Sequence, residues 1–154
     1  MNVRAKSGAV IGPGLQQTLK GLTLGEQLAD FARKTNATMN EAHRAISIRF
    51  FTSILFDTPV LTGMARGNWQ SSMGAPAGGT RIVLDPDGAA VSKEIVQNIT
   101  ADYTKVAYFS NNLEYIIPLE FGWSAKSPEG MIRINAMRFN NIVKETIAAP
   151  EIKL

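Results

Sequence analysis

The chain has 154 residues, 45% hydrophobic and 19% charged, with sixteen Lys and Arg against thirteen Asp and Glu for a net charge of +3. That length suits one ordinary domain with a core, and so apolar a composition excludes a disordered chain. The absence of cysteine removes disulfides, thiolate metal sites and cysteine nucleophiles and fits assembly in a reducing cytoplasm, while basic residues spread without a run show no nucleic-acid-binding stripe.

Residues 1–22 contain four glycines and one proline without a sustained period, and are expected to be a flexible N-terminal arm. Their apolar run, Ala9-Val10-Ile11, is too short for a secretory leader, and no stretch of the chain approaches a membrane span. Thr23-Leu24-Gly25-Glu26 has the form of a capping box, and Leu24, Leu28, Phe31 and Ala32 follow at helical spacing. A second capping box, Thr38-Met39-Asn40-Glu41, predicts a break or kink before a second, longer helix that ends near Phe56, so the helical region covers about 24–56. Met39, Ala42, Ile46, Phe50 and Ile54 form one stripe of it, widened by Ala45, Ile48, Phe51 and Leu55.

Pro59 stops that helix, because it lacks an N–H and pushes its predecessor out of the α region. Thr62-Gly63 reads as a turn or the start of a one-turn helix. Gly67 to Met73 then alternates, with Trp69, Ser71 and Met73 on one face, as a half-buried strand does. "TRIVL", 80–84, reads as a further short strand, and Asp85-Pro86-Asp87-Gly88 as a turn and N-cap opening a middle helix over about 88–99, with Val91, Ile95 and Ile99 buried. "TKVAYFS", 104–110, is the clearest strand, and "LEYIIPLEFG" a short helical turn. Ser127-Pro128-Glu129 predicts the start of a C-terminal helix over about 128–148, its buried stripe Ile132, Ala136, Phe139, Val143 and Ile147. Pro150 closes it and leaves 150–154 as a tail. The expected class is α+β: one domain, 23–149, with a small antiparallel sheet packed against helices.

Little in this order carries chemistry. His43 is the only histidine and has neither an orienting acid at helical spacing nor a serine elbow to serve. Asp85 and Asp87 lack the remaining ligands of a calcium loop, and "GAVIGPG" lacks the lysine ending of a phosphate loop. No catalytic, metal-binding or cofactor-binding set is therefore assigned. Glu120, between Leu119 and Phe121, is an acid in an apolar setting that needs a partner, with Arg66, Lys126 and Arg133 as candidates.

Two segments, "DTPVLTGMARGNWQSSMGAP" and "SNNLEYIIPLEFGWSAKSPEGMIR", together resemble the tail-completion, or neck, proteins of tailed bacteriophages. In that family a helix ends in a "TPVxTGxLRxxW"-like junction, and an "NNLPYAxxLEYGxSxQAPxGMVR"-like segment leads into the final helix. Pro59, Thr62, Gly63, Arg66 and Trp69 match the first pattern, and Tyr115, Glu120 and Arg133 the second, with Phe121 a conservative swap and Trp123 inside the same loop. Met64 and Glu114 depart from it. The resemblance spans about 24–148 and implies a structural virion protein without catalysis, assembled in the host cytoplasm. Its expected form is a homo-oligomeric ring, typically of six, between the head-side connector and the tail terminator or tube, with viral DNA passing through the lumen. The ten residues just named are its candidate interface or fold-defining positions. The alternative reading is a small basic DNA-binding or regulatory module.

Overall fold

A computed structural model of the protein describes residues 23–149, and the expected arm, 1–22, and tail, 150–154, lie outside the described residues. The elements in chain order are α1 (Leu24–Asp57), α2 (Met64–Gly67), β1 (Gln70–Met73), α3 (Ala89–Asn98), β2 (Ala107–Ser110), α4 (Ile116–Glu120) and α5 (Ile132–Ile147). The class is α+β, with one antiparallel pair of strands and a long N-terminal helix. Contacts divide the chain into two compact units, Met1–Ala37 and Thr38–Leu154.

In the first unit the predicted capping box forms. The Glu26 N–H donates to Thr23 Oγ1 at 3.3 Å, and the Glu26 carboxylate accepts from the Thr23 N–H at 2.7 Å and its hydroxyl at 2.8 Å. The Thr23 N–H, more than its hydroxyl, holds the Glu26 carboxyl below its ordinary range. Of the break or kink expected ahead of Thr38, no break occurs, since α1 runs as one helix from Leu24 to Asp57. Thr35 stays helical by donating its hydroxyl to the Phe31 carbonyl at 2.9 Å, which satisfies a side chain that otherwise competes with the helix.

The second unit holds the core. Phe51, Ile54 and Leu55 of α1 meet Val91 and Ile95 of α3 and Ile99 just beyond its end, with Trp69, Ile116 and Met131 closing the cluster. Strands β1 and β2 pair antiparallel, Gln70 opposite Ser110 through Met73 opposite Ala107. An isolated two-stranded ribbon is marginal in water, so its order comes from packing. Phe109 supplies it: its ring stacks on Trp69 at 4.6 Å and on Phe51 at 4.8 Å, near parallel to both, which ties β2 to α1 through three aromatic layers.

The two aspartates of the Asp-Pro-Asp-Gly turn cap α3 as predicted. Asp85 accepts from the N–H of Val91 at 2.9 Å and of Ala90 at 3.3 Å, and Asp87 from that of Ala89 at 3.2 Å. At the other end Arg44 of α1 donates to the carbonyls of Ile99 and Val96, both at 2.8 Å, satisfying acceptors that a helix C-terminus leaves free.

Four local expectations change. The first strand begins at Gln70 rather than Gly67, because α2 occupies Met64–Gly67. "TRIVL" forms no strand and joins no sheet among the described residues. β2 starts only at Ala107, since Asp102 draws Thr104 and Lys105 into a turn. The last helix begins at Ile132, not at 128: Ser127 to Gly130 form a turn, and Gly130 has φ 77°, which no right-handed helix accommodates.

The buried line of α5 is also not the one predicted. Asn135, Ile142 and Thr146 are buried, whereas Ile132 and Phe139 are 43% and 39% exposed. A polar seam sets this rotation. Asn135 accepts from Ser53 and donates to Asp57 at 2.8 Å and to the Met131 carbonyl at 2.7 Å, flanked by the ion pairs Arg138–Asp57 and Arg49–Glu145.

Candidate assembly interface

The junction after α1 is organised by three side chains whose roles differ. Arg66, on the single turn α2, donates to the carbonyls of Phe56 at 2.8 Å, Thr58 at 3.1 Å and Pro86 at 2.8 Å, and its guanidinium lies 5.7 Å from the Phe56 ring. One cation thus satisfies the end of the long helix and fastens it to the turn that opens α3. Thr58 is buried, passes its own hydroxyl proton to the Ile54 carbonyl at 2.8 Å and accepts the Trp69 indole N–H at 2.8 Å. Trp69 is 2% exposed, so it is a core anchor and does not reach a partner.

Gly63 has φ 88°, and a side chain there would meet the Pro86 nitrogen at 2.5 Å. Its carbonyl accepts from Gly67 at 2.8 Å and from Asp85 at 3.2 Å, so the turn clamps both sides at once. Thr62, exposed, accepts from the Met64 N–H at 3.3 Å. Asn111 donates to the Ala65 carbonyl at 2.8 Å, and Lys126 to that of Val60 at 3.0 Å, so the two distant segments are stitched together.

Between them lies an open groove of about 510 Å³, walled by Pro59 to Ala65 on one side and by Tyr115, Leu119 and Trp123 to Lys126 on the other. Its rims are apolar and bare: Leu61 is 96% exposed and Trp123 80%. Lys126 is the one ionised group among its lining residues, and its ammonium is held by the Val60 carbonyl.

Beside the groove, Glu120 finds its partner in Arg133. Its carboxylate accepts from the N–H groups of Met131, Ile132 and Arg133 at 2.8–2.9 Å and from Arg133 Nε at 3.3 Å, and its carbonyl from Arg133 Nη2 at 2.6 Å. An acid from the preceding helix therefore caps α5, the place a negative charge favours. Arg133 also lies 5.0 Å from the exposed Phe121 ring. Gly130 must be glycine for a second reason, since any Cβ would strike the Glu120 carbonyl and carboxylate.

Of the ten positions singled out in the sequence, the structure brings Pro59, Thr62, Gly63, Tyr115 and Trp123 to the groove, places Arg66 and Trp69 behind it, and gathers Glu120, Phe121 and Arg133 at the start of α5. Exposed Leu61, Ile82 and Leu84 carry no signal in the sequence, since an isolated aliphatic residue makes no motif. His43 sits partly buried with Nδ1 lacking a hydrogen-bond partner. Among the described residues no group of three His, Cys, Asp or Glu could hold a metal ion, and no helix is long and apolar enough to cross a membrane. Comparison of the chain with protein-family models, with curated proteins and with solved structures finds no match.

Proposed function

We propose that the protein is a structural virion component of a tailed bacteriophage, a ring subunit at the head-proximal end of the tail that completes the tail and joins it to the head connector. The observation that carries this reading is the bare apolar groove built by the two segments that resemble the neck family. A largely apolar patch rimmed by leucine and tryptophan, with Lys126 its one ionised lining residue, is the kind of surface that meets another protein, because aromatic anchors dominate interface energy and water gains by leaving them. Exposure elsewhere points the same way. Among the described residues, eighteen large apolar side chains are exposed, more than the core retains.

Ring closure needs two different complementary faces on each subunit, and DNA passes through the lumen without sequence readout. The neighbours in this reading are the head-side connector and the tail terminator or tail tube. The basic pI favours the DNA-binding alternative less than it first suggests, because Arg44, Arg66, Arg81 and Arg133 are spent on internal carbonyls or carboxylates.

Native mass and imaging of the isolated protein, alone and with virion necks, test the proposal. Assembly into rings is expected, and removal of the gene should leave unjoined heads and tails. Infectious particles that lack the protein would sink it. Salt-sensitive duplex binding by a monomer would favour the DNA-binding module instead.

A further inference from the structure

The helix α5 is sixteen residues long, yet among the described residues none of its side chains joins the hydrophobic core cluster. The last member of that cluster in chain order is Met131, fully buried just ahead of the helix. Along α5 itself only Asn135, Ile142 and Thr146 are buried, and Ile142 is the one aliphatic group of the three. Thr146 turns its hydroxyl back to the Ile142 carbonyl at 2.6 Å, a bond inside the helix that fastens it to nothing else. By contrast α3, with ten residues, sets Val91 and Ile95 into the core.

What joins α5 to the body is mostly polar. Asn135 meets Ser53 and Asp57, Arg138 pairs with Asp57 at 3.2 Å, and Glu145 pairs with Arg49 at 2.6 Å. Both ion pairs are open to water, and solvated pairs of this kind add little stability. The aromatic link is an edge contact of Phe139 on Phe50, with ring centres 5.1 Å apart. Two open grooves of about 510 Å³ each run between the helices, one lined by Thr52 and Asn141 and the other by Ile46 and Val143, so the space between α5 and α1 is only partly filled. The two ends are held unequally. At the start Glu120 takes the N–H groups of Met131, Ile132 and Arg133, whereas the farthest polar tie among the described residues is the exposed Glu145–Arg49 pair.

We propose that α5 beyond its capped first turn, residues 134–147, opens from the body as one unit while the core stays folded, and so acts as a releasable strap along the flank of α1. Local opening follows buried apolar contact, of which this segment has little. Once lifted, so short a helix is marginal in water and melts, which makes the opening cooperative. Release bares Ile142 and the Phe50–Phe139 pair together, so a neighbour meets a different surface in the open state. The strap is a property of the single chain, whatever it assembles with.

Native-state amide exchange of the isolated protein across low urea reads the opening directly. Amides at 138–147 are expected to exchange at least about 100-fold faster, relative to intrinsic rates, than those at 51–56 and 93–98, with one shared and shallow urea dependence. Equal protection and an equal urea slope in all three segments overturn the strap, and so does a gradient along 138–147 that marks fraying from one end. Because the chain has no cysteine, a covalent latch is simple to add. In Arg49→Cys with Glu145→Cys, linked by a short bis-maleimide, the protection of 138–147 should rise at least about tenfold over the same variant unlinked. Unchanged protection after linking means that exchange there needs no release of α5, which refutes the strap. Asp57→Ala removes an acceptor from Asn135 and Arg138 at once, and should lower the protection of 138–147 about tenfold while leaving 93–98 as they were. A parallel fall in both segments would mean that the polar seam holds the core as well, and no separable strap exists.

Discussion

Glu120 shows how much one side chain can decide. The sequence marks it as an acid in apolar company, and the structure spends it on three N–H groups and Arg133 at the start of α5. Truncation leaves those donors without an acceptor, so Glu120→Ala should cost about 2–4 kcal/mol, read from urea unfolding. A loss within error would mean that water replaces the carboxylate fully. Trp69 combines two contributions that substitution can separate. Trp69→Phe keeps a ring against Phe109 but loses the bond to Thr58, at about 1–2 kcal/mol, whereas Trp69→Ala also opens a cavity and should cost about 3–5 kcal/mol. If the two variants unfold alike, the Trp69 ring on Phe109 adds little beyond the bond to Thr58.

At the level of elements, caps rather than propensity set the boundaries. α3 begins where Asp85 and Asp87 accept its first N–H groups, and the bond from the Ala89 N–H, followed by the neighbouring Asp85, holds the Asp87 carboxyl below its ordinary value of 3.8. A depressed folded pKa means stability that is fully present above the unfolded value and lost as pH falls through the folded one. The protection of the first-turn amides of α3, with exchange normalised to the intrinsic rate at each pH, should therefore fall only under acid conditions below about pH 4, and Asp87→Asn should flatten that dependence. An equal acid response in the variant would assign it to other carboxylates. The C-terminal helix starts later than its local signals predict for the same reason. Ser-Pro-Glu is a good local start, yet Gly130 turns left-handed and the cap arrives from Glu120, ten residues upstream of it.

For the whole molecule, the decisive contrast is between an engaged set of cations and an uncovered set of apolar side chains. Apolar contact strengthens when sulfate is excluded from the surface, and phosphate contact weakens as counterions compete. Self-association should therefore hold or rise as ammonium sulfate is added, followed by light scattering of soluble species. Dissociation with rising salt would instead point to an electrostatic partner.

Readable in the amino-acid order alone were the α+β class, the presence of the long, middle and C-terminal helices, the stop at Pro59, the aspartate turn before α3, and a resemblance resting on two separated motifs. Those signals are local: a cap, a proline or an alternation acts over a few residues and can be read there. Only the packing of distant segments settles that Trp69 is core, that α5 turns Asn135 and not Phe139 inward, that Arg133 is the partner of Glu120, and that "TRIVL" joins no sheet among the described residues. Each of these depends on which surfaces from distant segments arrive together. A strand needs a neighbour and a buried acid needs a cation, and neither requirement names its answer in the sequence.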